Sequence, residues 1–206
     1  MLAHVYSCAV IGLEGVIIDI EVDYGQGGPH MAIVGLPDEA VKESRERVYS
    51  AIKNADLAYP RQPLTVNLAP ASVRKEGPFF DLPIAIGVLI TGEQIAPESI
   101  EGALIIGELS LDGSVRHVRG VLAVAAQARK DGYKRLFVPA CDAAEATLIP
   151  DIEVYPVNTL RELVDHLVGE ELIQPGTPIE YAPDDEISVD TDFSEIKGQE
   201  HIKRAL

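Results

Sequence analysis

The run Val16-Ile17-Ile18-Asp19-Ile20-Glu21-Val22-Asp23 limits the fold more than any other stretch of the chain. Ile18, Ile20 and Val22 alternate with acids, a period of two that suits a strand with one buried and one wet face. Val5–Ile11 precedes it across Gly12-Leu13-Glu14-Gly15, and His30–Gly35 follows the Gly25–Pro29 loop. Three neighbouring strands with short connections are expected to form an antiparallel meander. After Pro37 the period changes. Asp38 is placed to cap a helix in which Val41, Val48, Ile52 and Ala55 share one face. Lys42, Glu43, Glu46, Arg47 and Lys53 cover much of the other face.

Further along, Leu64–Leu68 is expected as a strand, and Asp81–Leu89 as a helix with Pro83 tolerated in its first turn. Ala103–Leu111 reads as one strand turning at Asp112-Gly113, and Gly120–Arg129 as an Ala-rich helix ending at Asp131-Gly132. Arg135–Pro139 and Glu153–Pro156 are short strands, and Thr159–Val168 is a closing helix. N-terminal antiparallel strands followed by alternating helices and strands make the class α+β.

A chain of 206 residues, 47% of them hydrophobic and none of them Trp, can bury one aliphatic core. That core is expected within residues 1–169. Residues 170–192, with Pro175, Pro178, Pro183 and the acidic run Asp184-Asp185-Glu186, read as an acidic linker. Residues 193–206 read as the opening of a further module. No run reaches the ~20 apolar residues of a membrane helix. Met1-Leu2-Ala3-His4 lacks the start of a signal peptide, and Cys8 and Cys141 make no disulfide framework, so the cytoplasm is expected. The net charge is −16, and ten acids against three bases lie in residues 170–206. An acidic chain has no general pull on nucleic acid, so any DNA contact needs a local basic patch.

Three stretches carry a family resemblance. Ile33-Val34-Gly35-Leu36-Pro37-Asp38 is followed by Glu43-Ser44-Arg45-Glu46-Arg47-Val48. Val66-Asn67-Leu68-Ala69-Pro70 is followed by Lys75-Glu76-Gly77-Pro78-Phe79-Phe80-Asp81-Leu82-Pro83. Ile196-Lys197-Gly198-Gln199-Glu200 is followed by Lys203-Arg204-Ala205-Leu206. The chain resembles the N-terminal, Lon-protease-like (ChlI-type) domain of Mg-chelatase-like AAA+ ATPases of the YifB/ComM family. The resemblance implies the fold of the second domain of ribosomal protein S-five, shared with the proteolytic domain of Lon. It also implies a hexameric parent acting on DNA in branch migration during natural transformation. ATP and Mg would belong to the AAA+ module beyond residue 206. The implied partners are that module, neighbouring subunits of a homo-hexamer and DNA, with no membrane. The rival reading is a degenerate protease-like domain that binds protein partners; a metal-chelatase accessory ranks last.

The Lon resemblance invites a serine–lysine dyad, which needs a hydroxyl nucleophile beside a lysine able to act as base. Aligned on the motifs, those two positions hold Phe79 and Leu122, which have neither a nucleophilic nor a titratable atom. No catalytic site is therefore expected in the chain. Gly25-Gln26-Gly27-Gly28 lacks the lysine of a phosphate loop, and the five histidines lack metal-ligand spacing, so no cofactor or metal is assigned. Cys141 precedes a short helix whose dipole favours a thiolate, but an inert, half-buried thiol is the plainer reading. Two basic groups remain as DNA or subunit contacts. Arg45 and Arg47 with Arg74 and Lys75 lie among Glu43, Glu46 and Glu76, and a salt-bridged surface is the plainer reading there. Arg116, His117 and Arg119 have fewer acids nearby and rank first.

Overall fold

The computed structural model describes residues 2–25, 30–178 and Gly198. β1 (Ala3–Ile11) and β2 (Glu14–Tyr24) pair antiparallel around Gly12, from Ala3 opposite Val22 to Ile11 opposite Glu14. The expected alternation holds: Ile18, Ile20 and Val22 are fully buried on one face, with Val5 and Ala9 beside them. The meander does not hold. β3 (Met31–Val34) does not pair with β2: the chain runs from β3 through α1 (Glu39–Asn54) to β4 (Leu64–Ala69), which inserts between them. The sheet order is β1-β2-β4-β3, with β4 antiparallel to β2 and parallel to β3. A helical crossover is what a parallel neighbour requires, and α1 supplies it. Asp38 caps α1 as expected, accepting from the Val41 N–H at 2.8 Å.

Just after β3 the backbone of Gly35 lies against β4: a Cβ there would sit 2.2 Å from the Leu68 carbonyl oxygen, and φ is 98°. Only glycine suits both constraints. α2 (Asp81–Thr91) is buried along its whole length and packs on β1 and β2, with Gly87 against Val5 and Val22.

The strand expected over Ala103–Leu111 divides. β5 (Ala103–Ile105) joins a parallel sheet, whereas β6 (Glu108–Leu109) pairs with β7 (Val115–Arg116) around Asp112-Gly113. Gly107 is the break. Its N–H donates to the Phe79 carbonyl and its own carbonyl accepts from Leu82, so its backbone serves the loop before α2 and not a sheet partner. α3 (Val121–Lys130) follows the left-handed Gly120, and β8 (Arg135–Pro139), α4 (Ala143–Ala146), β9 (Glu153–Val157) and α5 (Leu160–Val168) complete the order. The second sheet, β5-β8-β9, is wholly parallel.

Two apolar clusters result. The larger fills the space between the first sheet, α1, α2 and α5. The smaller joins Cys8 to Val118, Val121, Val124, Leu136, Val138 and Val154. Residues 170–178, expected to open the linker, lie against the body: the Ile173 N–H donates to His166 Nδ1 at 3.1 Å and that of Gly176 to the Val154 carbonyl at 2.7 Å. The rest of the linker and the expected start of the AAA+ module, Gly198 apart, lie outside the described residues. Among the described residues, no helix is long and apolar enough to cross a membrane. The molecule is a mixed α/β protein, with strands leading and helices and strands alternating after them.

Candidate functional site

The first expected basic group is dispersed. Lys75 is fully buried, and its ammonium donates to the Gly35 carbonyl at 2.9 Å and to the Pro70 carbonyl. Its backbone joins the same knot, with its N–H to Leu36 and its carbonyl accepting from Asp38. Burial holds the Lys75 amine below the usual lysine range. Lys75 is therefore withdrawn from the contacts expected of it: two carbonyls claim its ammonium, and that of Pro70 is shared with the Val73 N–H.

Arg47 is also withdrawn. Its guanidinium donates to Asp81 through Nε at 2.6 Å and Nη2 at 3.1 Å, and Nη2 also reaches the Ala40 carbonyl at 2.8 Å. Asp81 is wholly buried and accepts additionally from the Leu109 N–H. Burial pushes the Asp81 carboxyl up while Arg47 pulls it down, and the same bond holds the Arg47 proton more firmly. Helix α1 is thus tied to the first residue of α2. Arg74 and Arg45 stay at the surface, each 3.2 Å from a sequence neighbour's carboxylate, Glu76 and Glu46. Such exposed pairs contribute little to stability.

Arg45 also borders an open cavity of about 850 Å³, together with Tyr49, Lys53, Tyr59 and Arg61. The tyrosine rings meet edge to face at 4.9 Å, and the Lys53 ammonium lies 5.2 Å from the Tyr49 ring centre. Sequence reasoning missed this groove. Tyr49 and Tyr59 flank the end of α1, and a helical reading does not show that the following loop folds back beside it.

Phe79 is half-buried and packs on the smaller cluster, which contains Val121 at the start of α3, while Leu122 of the same helix faces solvent. The second basic group sits where β7 leads into α3. Arg116 is exposed, its Nε donating to Ser110 Oγ and its Nη1 4.0 Å from Glu108. Arg119 is exposed and has no polar partner among the described residues. His117 Nδ1 lies 2.5 Å from Asp142 Oδ1, and Asp142 Oδ2 accepts from the Val118 N–H at 2.9 Å. Cys141 is exposed and not half-buried, with its sulfur 3.7 Å from Asp142 Oδ1. Partial desolvation and the Asp142 charge push its thiol up, opposite to the expected dipole effect. No spacing rule links His117 to Cys141-Asp142, because 24 residues separate them and tertiary structure alone joins them.

Over residues 20–142 the chain matches the family described as subunit ChlI of Mg-chelatase, and it belongs to that Mg-chelatase-like family. Its likeness extends, within that class, to the YifB and ComM proteins. It is 40% identical over its whole length to competence protein ComM of Haemophilus influenzae, and 35% identical over its whole length to YifB of Escherichia coli. The chain spans 40% of the length of each of these relatives. A Lon protease of Halothermothrix orenii is 27% identical over 75% of this chain and 21% of its own length.

Proposed function

We propose that this chain is a non-catalytic accessory domain of a cytoplasmic AAA+ ATPase, on the ribosomal protein S-five domain-two fold, which helps to assemble the ring and guide DNA through it. The AAA+ module, with its ATP and Mg, belongs to the longer protein, which assembles as a hexamer. The Lon likeness supports the fold, and the side chains at the dyad positions, Phe79 and Leu122, support the absence of peptidase chemistry. The name of the competence relative supports a role in DNA processing.

One observation carries the DNA reading: the cavity beside α1 gathers Arg45, Lys53 and Arg61 around two tyrosine rings in a chain of net charge −16. Cations that track phosphates beside rings on which bases stack are the means by which single strands are held without sequence preference. The Arg116–Arg119 turn is the second candidate surface. Arg116 is partly engaged by Ser110 and Glu108, which leaves Arg119 as its free cation.

The test compares Arg45→Ala/Arg61→Ala with Arg116→Ala/Arg119→Ala in the intact protein. Anisotropy of a labelled single-stranded oligonucleotide is followed across a salt series, with ATP hydrolysis measured in parallel. Each lost phosphate contact lowers the log–log salt slope by about 0.7 on a single strand. The first pair is expected to weaken binding and flatten the slope at a normal basal ATPase rate. Loss confined to the second pair moves the interface to the α3 turn. Affinity and slope unchanged in both pairs overturn the DNA reading in favour of protein partners.

A further inference from the structure

We infer that His117, Cys141 and Asp142 form a binding site for a divalent transition metal of the zinc class. The site stands at the carboxyl end of β8, where the chain leaves the parallel sheet through the turn Ala140–Asp142 and meets the loop between β7 and α3. The carboxyl ends of parallel strands are where open α/β sheets habitually place ligands.

A nitrogen, a sulfur and a carboxylate oxygen, one from each residue, all lie within 4.8 Å of one another. One ion bonded at about 2.0 Å to nitrogen and oxygen and about 2.3 Å to sulfur holds such atoms about 3.3–3.6 Å apart in a tetrahedron. The sulfur and Asp142 Oδ1 stand at 3.7 Å, already near that spacing. The His117 nitrogen stands at 2.5 Å from the same oxygen because a proton joins them, and an ion replacing it requires about 1 Å of retreat. His117 is free to make that move, since its side chain is 62% exposed.

Asp142 is the fixed member. It is buried, and its second oxygen is held by the Val118 N–H, the kind of orienting bond that metal-ligating carboxylates keep. The donor set selects the ion. Thiolate with imidazole suits zinc, cobalt or nickel, whereas magnesium and calcium demand oxygen. Three protein ligands leave a fourth position for water or for a group on a binding partner. The other cluster of similar size among the described residues, His4 with Asp19 and Glu21 on β1 and β2, has no sulfur and no buried member.

The site is tested with cobalt(II) as the probe. The purified 206-residue chain is stripped with a chelator, dialysed, and titrated while its absorption spectrum is recorded. The expected result is a thiolate-to-cobalt charge-transfer band with tetrahedral visible bands, saturating at micromolar metal and abolished by added zinc. Cys141→Ser is expected to remove the charge-transfer band, and His117→Ala to weaken binding tenfold or more. Cys8→Ser, altering the buried thiol, is expected to change neither. Cys141 and His117 are exposed, so circular dichroism of both variants should match the parent and separate lost binding from lost fold. No band in the parent, saturation only at millimolar cobalt, or a band that survives Cys141→Ser overturns the proposal.

Discussion

Replacing Arg47 with alanine strands the Asp81 carboxylate. Asp81 has no exposed surface, and Arg47 supplies its two strongest donors, leaving it only the Leu109 N–H at 3.2 Å and the nearby Ser44 hydroxyl. Removing one member of a buried ion pair costs about 3–5 kcal/mol, because the other charge is left uncompensated. In a domain of this size 1 kcal/mol moves the melting temperature by roughly 2–4 °C, so Arg47→Ala should melt at least about 6 °C below the parent. Urea titration followed by circular dichroism should show the midpoint falling with the slope m unchanged. The loss should also depend on pH. In the variant the folded carboxyl binds its proton above the ordinary aspartate range near 4, while the unfolded chain binds it in that range. Acidification from neutral pH therefore stabilises Arg47→Ala relative to its own value at pH 7. Arg47→Met combined with Asp81→Leu removes both charges and should recover most of the loss. A single variant costing less than about 1 kcal/mol, or a double variant no better than the sum of the two single ones, would refute the claim that this pair is held as buried ions.

Lys75→Met keeps most of the buried volume but takes the ammonium from the Gly35 carbonyl and leaves the Pro70 carbonyl with the Val73 N–H alone, so it should cost about 1–3 kcal/mol by urea titration; a variant more stable than the parent would show that desolvating the ammonium outweighs its bonds. His166 is held below its ordinary pKa of 6.5 by burial and by the charge of Arg135, and its Nδ1 accepts from the Ile173 N–H. Its folded pKa lies below the unfolded one, so the associated stability is complete above pH 6.5 and is lost as pH falls from there through the depressed folded value. His166→Phe, which keeps ring contact with Phe137 and Tyr155, should remove that portion of the acid sensitivity, and an unchanged stability–pH curve would assign it to other groups.

Features carried by local pattern were legible in the sequence. The alternation of Ile18, Ile20 and Val22, the Asp38 cap and the helices around Pro83 and after Thr159 all follow from neighbours within a few residues. What required distant partners was not. β3 reads like a third meander strand because nothing near it announces that β4, thirty residues on, is its neighbour. Ala103–Leu111 is apolar enough for one strand, and its division at Gly107 follows from that residue's backbone bonds to Phe79 and Leu82 and its close approach to Val115. Arg47 and Lys75 read as surface charges because their acceptors, Asp81 and the Gly35 carbonyl, lie 34 and 40 residues away. The candidate site was visible as residue types, the cations and Cys141 among them, although the exposure of Cys141 was not. Its grouping was not, since the cavity beside α1 and the His117–Asp142 contact are both products of tertiary structure.

The β1–β2 hairpin has consequences for how the protein is made. α2 covers the face that carries Val5, Ile18, Ile20 and Val22, while α3 lies against the opposite face at Cys8 and Gly15. The hairpin is synthesised before either helix, and β4, which completes its hydrogen bonding on the β2 side, also comes later. On the ribosome it has no cover on the first face until α2 has emerged and none on the second until α3 has followed. For that interval one apolar strand face, the Cys8–Gly15 end of the other and an open strand edge are presented to the surroundings, the kind of surface that aggregates or recruits chaperones. The acids Asp19, Glu21 and Asp23, placed between the apolar residues of β2, keep like strands apart by charge through that exposed phase of synthesis.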